Sequence, residues 1–194
     1  MWAAVTHDWG KPAKRVENDA GQAHFYDHDH WGALLAEARL QALRFSGDEV
    51  AYVARLTDLH MRPGHLAHDF PPTRRAIYHF FRDAGATGPD CALLGVADEM
   101  AIRAHAVDAG AWRRRLATTR MLLDAIFRDR SQQVAPIPLL NGRQLMAELG
   151  LKPGPRVGEL LEGLREAQAT GEVSTADEAW AWLRGHVSDS YQGF

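Results

Sequence analysis

The adjacent pair His7-Asp8 places two kinds of metal ligand side by side near the start of the chain. An imidazole nitrogen is a borderline ligand and a carboxylate oxygen is a hard one, so the pair suits a single divalent ion. Gly10-Lys11-Pro12 follows and should end the helix that carries the pair, because glycine and proline disrupt helical backbone. On its own the dipeptide is weak evidence, since the same two residues also occur in solvated turns.

Three further potential ligands, His28, His60 and Asp98, follow at wide intervals. Asp98 lies inside the apolar run 93–101, and a buried carboxylate needs a partner. We favour a metal over an arginine as that partner. We therefore predict that the His7-Asp8 pair and Asp98 meet at one point, and that His28 and His60 face the same cavity.

Other histidines lie in polar stretches, and we expect them to point away from that cavity. They are His24, His65 and His68.

The composition is that of an ordinary globular protein. The chain has 194 residues, of which 46% are hydrophobic and 24% charged. A net charge of −3 leaves no global basic footprint for nucleic acid, so any RNA contact must be a local patch. The single cysteine, Cys91, excludes an internal disulfide framework and a cysteine-rich zinc site. No targeting signal or membrane span is evident, and we expect a soluble, cytoplasmic protein.

Apolar residues recur at helical spacing through most of the chain, and no strand pattern of useful length appears, which predicts an all-α fold. Ser46 and Glu49 predict a capping box, and 74–84 predicts a helix with a strong apolar face. Pro63 predicts a break followed by a loop over 64–72. The proline-punctuated stretch 129–138 predicts a boundary, with a helical domain over 1–130 and a small helical tail domain over 131–194.

Several stretches of the chain resemble known families. They are His7-Asp8-Trp9-Gly10-Lys11-Pro12, Phe25-Tyr26-Asp27-His28-Asp29, Leu43-Arg44-Phe45-Ser46, His60-Met61-Arg62-Pro63, residues 75–83, Ala97-Asp98 and, for the tail, residues 149–155. The set of His, His-Asp and a distal Asp resembles the HD-domain phosphohydrolases, whose helical core collects these residues around metal. Over nearly its full length, the chain resembles the C-terminal part of bacterial tRNA nucleotidyltransferases and poly(A) polymerases that carry such a domain. The resemblance implies an HD-type domain over 1–130.

The sequence departs from that family in three ways. It shows no counterpart of the nucleotidyltransferase head, with its Gly-Ser and paired-Asp signature, so we expect no nucleotide addition by this chain alone. The sequence also shows no counterpart of the helix that, in the family, precedes the His-Asp pair and supplies the first histidine ligand. Leu59 stands where related proteins often have a histidine beside His60.

The main hypothesis implied by the resemblance is a metal-dependent phosphohydrolase, a phosphodiesterase or phosphatase. Its substrate would be a phosphorylated small molecule or nucleotide, such as a 2′,3′-cyclic nucleotide or a phosphate monoester. The implied metal ligands are His7, Asp8, His28, His60 and Asp98. The cofactor would be a divalent ion, Mn, Mg, Ni or Co, acting through a metal-bound hydroxide.

Two positively charged side chains complete the implied active site. Asp8 and Lys11 are its candidate catalytic residues. Lys11 and Arg62 are the candidates for neutralising the substrate phosphate.

The alternative hypothesis is a binding module, the non-catalytic body and tail of a split tRNA nucleotidyltransferase. Its partners would be tRNA or a separate nucleotidyltransferase head chain. The candidate RNA-binding residues are Arg113, Arg114, Lys152 and Arg156. A metal-free remnant with a purely structural role is a third possibility.

Overall fold

The computed structural model describes residues 2–102 and 108–188, and its fold is all-α, which confirms the predicted fold class. The described helices are α1 (Trp2–Thr6), α2 (His28–Ala42), α3 (Gly47–Leu59), α4 (Arg62–His68), α5 (Arg74–Ala84), α6 (Gly88–Ile102), α7 (Ala109–Phe127), α8 (Arg130–Gln133), α9 (Gly142–Leu149), α10 (Pro155–Thr170) and α11 (Ala176–Ser188). None of these helices is long and apolar enough to cross a membrane. The sequence predicts that the helix containing Asp98 continues to residue 105, and the part of it after residue 102 lies outside the described residues.

A short antiparallel hairpin interrupts the helices, formed by β1 (Arg15–Glu17) and β2 (Ala23–Phe25). Val16 pairs with His24 in its register. The Asn18 side chain accepts hydrogen bonds from two backbone amides of the intervening turn. Each strand has only three residues, which is too short for an alternating pattern, and the sequence prediction had no strand here.

The helix starts follow from local chemistry. Ser46 and Glu49 form the predicted capping box at the start of α3. Helix α4 occupies most of the stretch expected to be a loop, and that prediction was wrong. Pro63 lies in the first turn of α4, where its missing N–H leaves no hydrogen bond unmade. A proline interpreted as a helix end therefore marks a helix start.

The chain divides into two compact units, Met1–Pro72 with Phe80–Leu123 and Thr73–His79 with Asp124–Phe194. The predicted boundary after residue 130 stays a prediction. In the first unit α2 packs along α3, and Ala36, Leu40 and Leu56 are among its buried residues.

The second unit has its own apolar core, built by α9, α10 and α11. Leu145, Leu164 and Leu183 are almost completely buried within it. Asn141 caps α9 through a capping box. Gly171, with φ of 83°, ends α10 in the left-handed conformation that glycine adopts without steric cost.

Cys91 should resist alkylation in the folded protein. Its thiol is completely buried in α6 and donates to the Leu59 carbonyl at 3.2 Å, and burial raises the pKa of the thiol to about 12. Because the thiolate is the nucleophile, we expect iodoacetamide to label the native chain at least about 100-fold more slowly than the chain in guanidinium. Mass spectrometry of timed samples measures this, and equal rates in the two conditions would contradict the buried position.

Candidate metal centre

The turn after α1 is pressed against the start of α2. A Cβ atom placed on Gly10 would lie 2.0 Å from the His28 carbonyl oxygen and 2.8 Å from the Gly32 amide nitrogen. The hydroxyls of Thr6 and Thr57 also meet at 3.1 Å in a buried contact that ties α1 to α3. These contacts bring Asp8 close to the ring of His28.

The rings of His28 and His60 are oriented by backbone carbonyls. Nδ1 of His28 lies 2.7 Å from the Phe25 oxygen, and Nδ1 of His60 lies 2.6 Å from the Thr57 oxygen. A carbonyl only accepts, so each Nδ1 carries the proton and each neutral ring presents a bare Nε2. These two Nε2 atoms are 3.3 Å apart. Two facing lone pairs repel each other unless a proton or a cation lies beside them.

His7 has the same orientation, with Nδ1 3.1 Å from the Ala4 oxygen. Its Nε2 lies 3.2 Å from Oδ1 of Asp98 and 3.5 Å from Oδ2 of Asp8. The hydrogen bond to Asp98 raises the pKa of His7, and the same bond lowers the pKa of Asp98. Burial instead lowers the pKa of His60. The contact between His7 and Asp98 therefore favours the protonated imidazole of His7 and the ionised carboxylate of Asp98.

Asp8 stands between the two groups. Its Oδ1 is buried without a hydrogen-bond partner among the described residues, 3.6 Å from Nε2 of His28 and 4.0 Å from Nε2 of His60. Asp8 thus belongs to one cluster with His28 and His60 and to another with His7 and Asp98. Within each cluster the potential ligand atoms lie within 4.8 Å of one another. The orphaned oxygen and the mixed nitrogen and oxygen donors fit a divalent cation.

Members of both clusters line a cavity of about 370 Å³. His28, His60 and Asp98 line it, and so does His24, which we had expected to point away. That expectation was wrong because β2 carries His24 back beside the start of α2. His65 and His68 are not among the described residues that line the cavity.

The two side chains predicted to bind phosphate, Lys11 and Arg62, have different surroundings. Lys11 lines the cavity, and its Nζ lies 2.7 Å from Oδ2 of Asp8. Arg62 is not one of the described residues lining it, and its guanidinium pairs with Asp83 at 2.7 Å. Burial opposes ionisation of Asp83, but the hydrogen bonds from Arg62 and Arg82 outweigh it and keep the pKa of that carboxyl low.

Arg115 is the cation that the sequence prediction missed. It lines the cavity and pairs with Glu99 at 3.2 Å. It follows Arg113 and Arg114 directly, and both of these are exposed. A run of three arginines carries no signal for which one faces inward.

The remaining RNA-binding candidates lie in the second unit. Lys152 is exposed in the loop before α10. Arg156, in the first turn of α10, pairs with Glu159 at 3.3 Å and donates to the His186 carbonyl at 3.1 Å.

Comparison with known proteins shows that the chain is similar to tRNA nucleotidyltransferases. Residues 126–183 match a family described as tRNA nucleotidyltransferase domain 2, putative. The chain is 39% identical to an A-adding tRNA nucleotidyltransferase of Deinococcus radiodurans, over 94% of this chain and 40% of that protein. It is 37% identical to a CC-adding tRNA nucleotidyltransferase of Thermus thermophilus, over 93% of this chain and 38% of that protein. The chain thus spans about two fifths of the length of these curated relatives.

The expectation of an HD-type, metal-dependent phosphohydrolase that acts on a small phosphorylated substrate is wrong. The matched family and these relatives are tRNA nucleotidyltransferases, and they favour the alternative, a tRNA-binding body and tail. The physical reason for the error is that a cluster of histidine and aspartate side chains indicates which ion can bind, and does not specify a reaction.

Proposed function

Because this chain is related to tRNA nucleotidyltransferases over nearly its whole length, we propose that it forms the non-catalytic, tRNA-binding body and tail of such an enzyme. One observation carries the proposal. An A-adding and a CC-adding relative match this chain almost equally well, at 39% and 37% identity. Their names differ in the nucleotide added and share tRNA. A region common to both therefore suits holding the tRNA rather than choosing the nucleotide. The protein partner implied is a nucleotidyltransferase head, in the same or a separate chain.

Exposed cations on each unit support this role. Arg113 and Arg114 on α7 belong to the first unit, and Lys152 and Arg156 to the second. Arginine and lysine side chains hold phosphate oxygens and contribute most of the salt-dependent affinity for nucleic acid. Since the net charge of the chain is −3, such local groups must provide the contact.

We also propose that the two clusters that share Asp8 bind a divalent cation (Mn, Mg, Ni or Co) and that this cation has a structural role. The candidate ligands come from the turn after α1, from α2, from the end of α3 and from α6. A cation there would take the place of the contact between Nε2 of His7 and Oδ1 of Asp98 and would satisfy the orphaned Oδ1 of Asp8. It would thereby tie four segments of the first unit together.

Removing both exposed arginines of α7 should weaken tRNA binding. For the double variant Arg113→Ala, Arg114→Ala we expect the slope of log affinity against log salt to fall by roughly 0.7–0.9 for each phosphate that the protein no longer neutralises. Fluorescence anisotropy with labelled tRNA at several salt concentrations measures this. Arg39→Ala, an exposed arginine of α2, is the matched control and should leave the slope unchanged. An unchanged slope in the double variant would exclude these two residues from the interface.

A further inference from the structure

The cavity beside Asp8 combines three kinds of wall. His28, His60 and Asp98, which belong to the two potential metal-binding clusters, form one side together with Lys11. Arg115 and Glu99 form another. Aromatic residues at the end of the hairpin, including Tyr26, form the third. The proposed cation accounts for the first wall only.

Two glycines leave space for the guanidinium group of Arg115 beside the cavity. A Cβ atom on Gly64 would lie 2.9 Å from Nη2 of Arg115, and one on Gly95 would lie 3.5 Å from Nη1. Nη2 donates to Glu99, whereas Nη1 is buried and has no acceptor among the described residues. An unsatisfied buried donor on a charged group is costly. A phosphate oxygen is a strong acceptor for it, because guanidinium and phosphate form charge-assisted hydrogen bonds.

The third wall offers a flat aromatic surface. The rings of His24 and Tyr26 stack with centroids 5.5 Å apart and planes 7° from parallel. Tyr26 is 67% exposed, so one side of this stack is open. Nζ of Lys11 lies 5.8 Å from the centre of the Phe25 ring and adds positive charge beside these rings. Aromatic rings next to cations are the usual means of binding unpaired nucleotides.

Resting on the proposed function, we infer that this cavity accepts one unpaired nucleotide of the bound RNA, with its base on Tyr26 and its backbone phosphate at Arg115. A volume of about 370 Å³ lies within the range of pockets that enclose small ligands. Bases in a duplex are already paired and stacked, so the site selects single-stranded RNA.

The test uses the full chain and a short single-stranded oligoribonucleotide that contains 2-aminopurine, whose fluorescence falls on stacking. We expect Tyr26→Ala to weaken binding by about 5- to 150-fold, the usual range for one base–aromatic contact, and to remove the quenching. Because Tyr26 is exposed, the substitution leaves the core intact. Phe127→Ala, which removes a 73% exposed aromatic ring outside the lining of the cavity, is the matched control and should change neither signal.

Arg115→Lys tests the phosphate contact. Lysine keeps the charge but lacks the planar fork, so we expect weaker binding with quenching at saturation preserved. Circular dichroism checks the fold of this variant, and if it does not fold, Tyr26→Ala decides alone.

The outcomes separate this inference from the proposed function. Equal affinity of wild type and Tyr26→Ala, or equal affinity for single-stranded and duplex RNA, would overturn the inference. If tRNA binding nevertheless depends on Arg113 and Arg114, the proposed function stands without it. Tyr26-dependent binding of the oligonucleotide by a chain that does not bind tRNA would support the pocket and reject the proposed function.

Discussion

The Gly10→Ala variant should lose about 3 kcal/mol or more of folding free energy. The added Cβ would lie 2.0 Å from the His28 carbonyl oxygen and 2.8 Å from the Gly32 amide nitrogen. Both are backbone atoms of α2, which cannot move aside without unwinding its first turn. Urea denaturation followed by circular dichroism measures the loss. Because His28 is a candidate ligand, the same variant should also bind a cation more weakly.

Gly47→Ala is the matched control for this substitution. Gly47 begins α3, and a Cβ atom there would meet no atom within 4 Å. We expect it to be neutral or to stabilise the protein by about 0.4–1 kcal/mol, through a less flexible unfolded chain. Equal stability of the two variants would show that the turn does not pack as described.

The Asp8→Asn variant should lose cation binding. Asp8 belongs to both clusters, so a single substitution removes an anionic oxygen from each. Changes in residues that only support a ligand cost 10- to 100-fold in metal affinity, so loss of a ligand should cost at least about 100-fold. Isothermal titration calorimetry with Mn²⁺ on protein without a histidine tag measures this.

Asp58→Asn provides a control of similar chemistry and exposure. Asp58 pairs with His30 at 3.1 Å, and neither belongs to the two clusters. We expect Mn²⁺ affinity to remain at the wild-type value in this variant. If wild type and Asp8→Asn bind Mn²⁺ equally, or wild type binds none of the four candidate ions at saturating concentration, the proposed metal site is rejected.

Local sequence patterns predicted the helices where the pattern was strong. The apolar face of α5 predicted a helix over 74–84, and the structure has the same bounds. Its residues Ile77, Phe80 and Phe81 are buried. Helix α4 was missed because Pro63 was interpreted as a break, although proline fits the first turn of a helix equally well. The hairpin was missed because its pairing depends on a turn around Asn18 rather than on alternation.

Candidate ligands could be chosen from the sequence by their chemical type, and the structure brings them together. The sequence could not show which acidic partner or which cavity each arginine side chain contacts. Arg62 pairs with Asp83, whereas Arg115 reaches the cavity because Gly64 and Gly95 leave space for it. That space depends on the packing of three helices, which residue types alone do not reveal. The reaction could not be inferred from the ligands either, since it depends on what else binds.

The carbonyl contacts of His7, His28 and His60 affect which ion the protein would hold in a cell. With Nδ1 fixed on the backbone, each ring is already in position, so binding costs little side-chain entropy. Imidazole-rich sites that do not adapt to the ion follow the Irving–Williams order, in which Ni²⁺ exceeds Co²⁺ and both exceed Mn²⁺. A site with fixed ligands of this kind cannot exclude Ni²⁺ or Co²⁺, which bind more strongly than Mn²⁺, by changing its geometry. The occupant would therefore be decided by the free concentrations of the competing ions, and purified protein would carry the ion most available to it.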